Sequence, residues 1–145
     1  MKKAGFEFRD HTADIQVYCY GPSLEQAFEQ AALSLMTIIS PDLNKIDPKI
    51  EKKIEINAED KEALLFDFLS EFLYIFDVEE LIFSKINVES ITKINDEYCL
   101  KARMLGEKFD LKKHEGGTIV KAITYSYMEI KEEKEKVSLK VIFDI

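Results

Sequence analysis

The run Ala63-Leu64-Leu65-Phe66-Asp67-Phe68-Leu69-Ser70-Glu71-Phe72-Leu73-Tyr74-Ile75-Phe76 constrains the fold more than any other segment. Its spacing predicts a helix that starts near Glu59 or Asp60 and runs to about Asp77. Asp67, Ser70, Glu71 and Tyr74 form one narrow polar stripe, and the other positions are apolar nearly all round. A helix of this kind has to be buried on most sides, by its own sheet or by a partner.

The flanking segments supply the sheet. Residues 6–8 and 13–20 read as strands, and in the second Ile15, Val17 and Cys19 alternate with Asp14, Gln16, Tyr18 and Tyr20, so Asp14 points away from the apolar face. Gly21-Pro22 ends that strand. Ser23-Leu24-Glu25-Gln26 reads as a capping box, with Gln26 reaching back to the Ser23 amide. It opens a helix carrying Leu24, Phe28, Ala31, Leu35 and Ile38 or Ile39 at helical spacing, to about Ser40. Residues 41–48 read as a loop and 50–58 as a strand. After the second helix the pattern is all strand: 81–94, a turn at Asn95-Asp96, 97–105, a loop with Gly106 and Gly116-Gly117, 118–131, a turn over 132–136, and 137–145. This order predicts an α+β fold, a largely antiparallel β-sheet sandwich with two amphipathic helices packed against it, in one domain over residues 1–145.

A chain of 145 residues with 46% apolar residues, ten Phe and only five Gly and three Pro is ordered rather than disordered. The formal charge is −8, and Arg9 and Arg103 are the only arginines among 20 basic residues. Phosphate backbones are gripped by clustered basic charge, so strong direct nucleic-acid binding is not expected. Docking on a basic enzyme is compatible with this charge. Lys2 and Lys3 are followed by no apolar signal core, and no apolar stretch approaches 18 residues, which predicts a soluble cytoplasmic protein with no membrane association.

Candidate chemistry gathers at the two ends of the sequence. The apolar run Val141-Ile142-Phe143-Asp144-Ile145 places the Asp144 side chain beside the α-carboxylate of Ile145, and Asp10-His11-Thr12-Ala13-Asp14 lies near the other end. If the ends meet, Asp14, Asp144 and Ile145 present oxygen ligands that point to Ca²⁺, Mg²⁺ or Mn²⁺ over zinc. On spacing alone the two acids read first as solvated strand ends, and two acids near opposite termini are not a motif. His11 reads as an acid or base beside Asp10 and Asp14, or as a hydrogen-bonded structural residue. His114, in Lys112-Lys113-His114-Glu115-Gly116, reads as solvated loop. Lys121 shares strand parity with Ile119, Ile123 and Tyr125, so it is either functional or a snorkelling side chain. Asp67 and Glu71 stand one helical turn apart and read as a solvated stripe. Cys19 and Cys99 match no metal spacing and read as reduced core or half-core residues. Gly116-Gly117 reads as a flexible turn. The glycines make no phosphate loop, and there is no nucleophile elbow.

Several segments together resemble the archease family: Phe8 to Ile15 (FRDHTADI), Gly21 to Ala32 (GPSLEQAFEQAA) and Leu64 to Asp77 (LLFDFLSEFLYIFD). Gly106 to Asp110 (GEKFD), Val120 to Tyr125 (VKAITY) and Val141 to Ile145 (VIFDI) continue the likeness, which is most specific in DHTAD and the final DI. The resemblance implies an accessory protein, with no reaction of its own, for the GTP-dependent tRNA-splicing ligase of the RtcB type. It would promote guanylylation of the ligase, allow multiple turnover and broaden the nucleotides accepted. It also implies a calcium site at Asp14, Asp144 and Ile145, with Lys121, Asp10 and His11 in support. Two other function classes compete: a small metal-dependent hydrolase using Asp14, Asp144 and His11, and a general chaperone exposing part of the apolar helix. The expected role of the Ile145 carboxylate has a direct test. A tag appended after Ile145 should weaken calcium binding and ligase stimulation, measured by calorimetry and guanylylation assay, and a tag at Met1 should do far less.

Overall fold

The computed structural model describes residues 3–10 and 14–145, apart from the Asp10 side chain. Seven strands and two long helices occur among the described residues: β1 (Gly5–Asp10), β2 (Asp14–Gly21), α1 (Leu24–Ile39), a 3-10 turn (Leu43–Lys45), β3 (Ile50–Ala58), α2 (Lys61–Glu79), β4 (Leu81–Ile94), β5 (Glu97–Lys108), β6 (Ala122–Glu132) and β7 (Val137–Asp144). One sheet has the order β1-β2-β7-β6 and the other β3-β5-β4, with every pairing antiparallel. The α+β architecture and the antiparallel sheets are as expected.

Both helices touch both sheets. α1 packs on β4 of the smaller sheet and on β2 and β7 of the larger, and α2 packs on β3 and β5 of the smaller and on β6 of the larger. That placement explains why α2 has apolar residues nearly all round: Leu64, Leu65, Phe68, Leu69, Phe72 and Ile75 are buried, leaving an exposed line at Asp67, Tyr74, Asp77 and Val78. A chain of rings links the layers, from Phe28 of α1 to Phe68 (6.0 Å), Phe68 to Phe72 (5.1 Å) and Phe72 to Phe83 of β4 (5.8 Å). Each such pair adds about 0.5–1.5 kcal/mol beyond the area it buries.

Local chemistry sets the ends of the elements. Asp60 caps α2 by accepting the Ala63 N–H at 2.7 Å, and Glu80 closes it in the left-handed region at φ 57°. Ser23 accepts the Gln26 N–H at 3.2 Å, as expected, but its hydroxyl donates to the Gln26 side-chain oxygen, so Gln26 does not reach the Ser23 amide. Asn95 and Asp96 both have positive φ, the geometry of a tight hairpin turn. Gly106 is not in a loop: it sits in β5 opposite Ile50 and Phe83, where a Cβ would lie 1.8 Å from the Ile82 carbonyl oxygen. No described helix is long and apolar enough to cross a membrane.

The segment between β5 and β6 is where the structure departs most from expectation. Gly116-Gly117 is a docking point instead of a flexible turn: the N–H groups of Gly117 and Thr118 donate to the carbonyls of Ile39 and Ile38 (3.0 and 2.8 Å), and Ser40 Oγ donates to the Glu115 carbonyl (2.9 Å). These bonds satisfy the open end of α1. His114 is 3% exposed, not solvated, because it is held from both ring nitrogens. The Asp110 N–H donates to Nδ1 at 2.9 Å, which leaves the ring proton on Nε2, 2.9 Å from Glu107 Oε2. Glu107 also accepts the Asp47 N–H (2.9 Å) and pairs with Lys113 (2.7 Å), and the Phe109 ring stacks on His114. Burial alone would raise the Glu107 pKa, but hydrogen bonds from Lys113, the Asp47 amide and His114 bring it down to about 2.

Two measurements test this packing. Gly117→Ala would push a Cβ to 2.0 Å from the Ile38 carbonyl oxygen, whereas at Gly116 the nearest atom is the Leu111 side chain at 3.2 Å. Urea unfolding should show a loss of about 1–3 kcal/mol for Gly117→Ala and much less for Gly116→Ala. For Glu107 the folded pKa lies below its ordinary value of 4.5, so its contribution to stability is present above that value and is lost as the pH falls towards 2. Glu107→Gln should therefore cost about 1–3 kcal/mol at pH 7, with the gap to the parent narrowing steadily below pH 4.5.

Candidate functional site

β2 and β7 are neighbours, and their register sets Asp14 directly opposite Asp144. Directly opposed residues on antiparallel strands share a face, with Cβ atoms roughly 4.5–5.5 Å apart. The two ends of the sequence therefore meet. On the other side of β7, Asp144 is opposite Ala122 of β6, and the Lys121 N–H donates to the Asp144 carbonyl at 2.7 Å. Ile145 follows with its side chain partly buried against the core. Backbone hydrogen bonding thus brings Asp14, Asp144, Ile145 and Lys121 together from distant parts of the chain.

The two carboxylates differ in exposure. Asp144 is exposed, while Asp14 is half-buried and its Oδ1 is shielded from solvent. Like charges opposed across strands destabilise a sheet, and a hard cation is the ligand that an all-oxygen pair of this sign favours. The two carboxylates are oxygen donors, the type that hard cations take. Among the described residues no group of three His, Cys, Asp or Glu side chains stands close enough to hold a metal.

Asp14 also lines a groove of about 460 Å³ with Phe8, Arg9, Thr37, Pro41 and Thr118. Arg9 lines this groove from β1, and its guanidinium lies over the Tyr18 ring at 4.7 Å. Phe8, Arg9 and Thr118 carried no signal in the sequence as site residues. The groove is built where the end of α1 and the segment after Gly116 approach β1 and β2, which no local pattern reveals.

Lys121 is not within a strand. β6 begins at Ala122, and Lys121 is exposed. The shared parity with Ile119 and Tyr125 breaks down too, because both are exposed while Ile123 is buried. Asp10 ends β1 opposite Ile15. Its side chain and His11 lie outside the described residues, and so does the acid–base reading of His11. Asp67 is exposed and Glu71 half-buried, as a solvated stripe requires. Cys19 is buried, which pushes its thiol pKa up despite a hydrogen bond with Ser34, and Cys99 is half-buried; neither forms a disulfide.

A family model, the Archease protein family, matches residues 6–145. The protein archease of Methanosarcina barkeri is 41% identical over 140 residues, which is 97% of this chain and 95% of that protein. The protein archease of Pyrococcus furiosus is 46% identical over 125 residues, covering 86% of this chain and 87% of its own length. Among solved structures, the solution structure of Methanobacterium thermoautotrophicum protein 1598 superposes with a TM-score of 0.85 at 38% identity, over 97% of this chain and 99% of that one. A Thermotoga maritima crystal structure described as an archease and possible chaperone shares the fold at 23% identity and a TM-score of 0.58, over 94% of each chain. The chain belongs to the archease family.

Proposed function

We propose that the chain activates a GTP-dependent tRNA-splicing ligase of the RtcB type. It would promote guanylylation and multiple turnover of the ligase and broaden its nucleotide use, without catalysing a reaction itself. The observation that carries this reading is the register that opposes Asp14 and Asp144. In the proposal these carboxylates and the main-chain oxygens of Ile145 hold a divalent ion, with Ca²⁺ first and Mg²⁺ or Mn²⁺ as alternatives. Bound there, the ion would supply positive charge to phosphate oxygens at the ligase surface. Lys121 stands next to the pair through its backbone bond to Asp144, and Arg9 lines the adjoining groove, so both offer cationic side chains to a phosphate or carboxylate of the partner. Asp10 and His11 are assigned a supporting role by the family likeness. A net charge of −8 suits docking on a basic protein surface and opposes direct gripping of RNA.

A second reading, a general chaperone, is favoured by the exposure of Leu111 and Ile119, apolar side chains that could bind unfolded clients. Three assays separate the classes. An activator stimulates guanylylation when added to purified ligase in catalytic amounts. A chaperone suppresses aggregation of unrelated proteins in the absence of ligase, and a hydrolase turns over substrate alone.

The expected outcome for the activator is specific. Asp14→Asn and Asp144→Asn should each remove the calcium-dependent rise in melting temperature and reduce multiple-turnover stimulation at least about tenfold, a loss on the order of 1.4 kcal/mol, with circular dichroism unchanged. A folded double variant that stimulates the ligase fully would rule the metal site out of the mechanism.

A further inference from the structure

Leu111 and Ile119 are 73% and 79% exposed, and they stand on the rim of a groove of about 290 Å³ between the C-terminal half of α2 and the segment before β6. Leu73, Phe76 and Phe109 form its walls, and Asp77 is the one charged side chain lining it. The apolar surface continues along α2 through Tyr74 and Val78, 60% and 61% exposed. Scattered apolar residues are ordinary on a protein surface, but a set gathered around a concave groove marks a place where another group docks.

Charge identifies the occupant. From residue 62 to residue 84 the chain has six acidic residues, Glu62, Asp67, Glu71, Asp77, Glu79 and Glu80, and no Lys or Arg. Among the described residues this set makes one ion pair, between Glu79 and Lys52. The exposed line of α2 is thus apolar at Tyr74 and Val78 and negative around them. On the opposite wall the exposed Lys112 and Lys121 flank the lining residues, while Lys113 is held by Asp47 and Glu107. The exposed Asp110 and Glu115 of the same segment offset Lys112 and Lys121, so the net charge beside the groove is the negative charge along α2.

We propose that this groove docks a segment of another protein that carries a large apolar side chain flanked by Lys or Arg. The apolar side chain packs onto the Phe76–Phe109 ring pair, whose centroids are 5.8 Å apart, beside Leu111 and Ile119, and the basic residues lie over Asp77, Glu80 and Glu71. A second copy of this chain fits less well, since it would bring another net charge of −8 and another wholly acidic α2 to the same place. The proposal does not depend on the metal reading. The groove shares Gly117 and Thr118 with the groove at Asp14, so the two sites lie on opposite flanks of one tightly held segment and a single partner can reach both.

The test uses the full chain and a fluorescein-labelled amphipathic peptide of leucine and lysine, with its glutamate-for-lysine counterpart, read by fluorescence anisotropy. The lysine peptide should bind, and the glutamate peptide should not. The Leu111→Ser/Ile119→Ser double variant and Asp77→Lys should each weaken binding at least about tenfold. Glu97→Lys, an equal charge change at the far hairpin turn, should leave it unchanged. Methyl resonances of Leu111 and Ile119 in the unaltered protein should shift on titration, a readout independent of any variant. An equal loss from Glu97→Lys would mean that net charge alone is being measured, and equal binding of both peptides would remove the charge argument. A concentration-dependent dimer that the double serine variant abolishes would give the groove to a second copy. Any of these three results overturns the proposal.

Discussion

A helix with apolar side chains on almost every side cannot rest on a single sheet, because half of its surface would remain in water. Fully burying a Leu or Phe is worth about 1.5–3 kcal/mol, so α2 is stable only where a second apolar wall covers what the first leaves open. The fold meets this demand with two antiparallel sheets that both contact both helices. The ring chain from Phe28 through Phe68 and Phe72 to Phe83 runs through the helix layer and holds it to the smaller sheet.

The site follows from the same construction. For the larger sheet to cover α1 and α2, β7 has to run between β2 and β6, and its Val137, Leu139, Val141 and Phe143 face the core. Strand alternation then sends Asp144 to the other face, where the register with β2 meets Asp14. A shift of one residue would turn the apolar set of β7 to solvent, so the burial that stabilises the fold also holds two carboxylates together. That opposed pair is the feature on which the proposed divalent ion rests.

The segment from Phe109 to Lys121 joins the site to the rest of the surface. It has no regular structure, yet backbone and side-chain bonds hold it along its length: Phe109 on Glu80, His114 on Glu107, Glu115 under Ser40, Gly117 and Thr118 on the end of α1, and Lys121 on Asp144. Because those anchors lie on the inner side, the side chains between them, Leu111 and Ile119, are left facing outward. A fixed backbone with outward apolar residues beside an acidic helix is a surface made for recognition, and it sits next to the carboxylate pair.

The elements, their order and the class of fold are legible in the amino-acid pattern, since helical and alternating periodicities are local and α2 announces its own burial. The sequence also carried Asp14 and Asp144 as candidates through a family likeness that spans nearly the whole chain. Non-local contacts are not legible in that way. His114 reads as solvated beside two lysines, but a carboxylate seven residues earlier and a backbone amide four residues earlier bury it. Gly117 reads as a flexible turn, but the end of a helix nearly eighty residues away leaves no room for a side chain. Lys121 reads as part of a strand, but the strand begins one residue later. Whether Asp14 and Asp144 would meet depended on which strands became neighbours and in what register. That choice is made by the summed burial of two sheets around two helices, and no single segment encodes it.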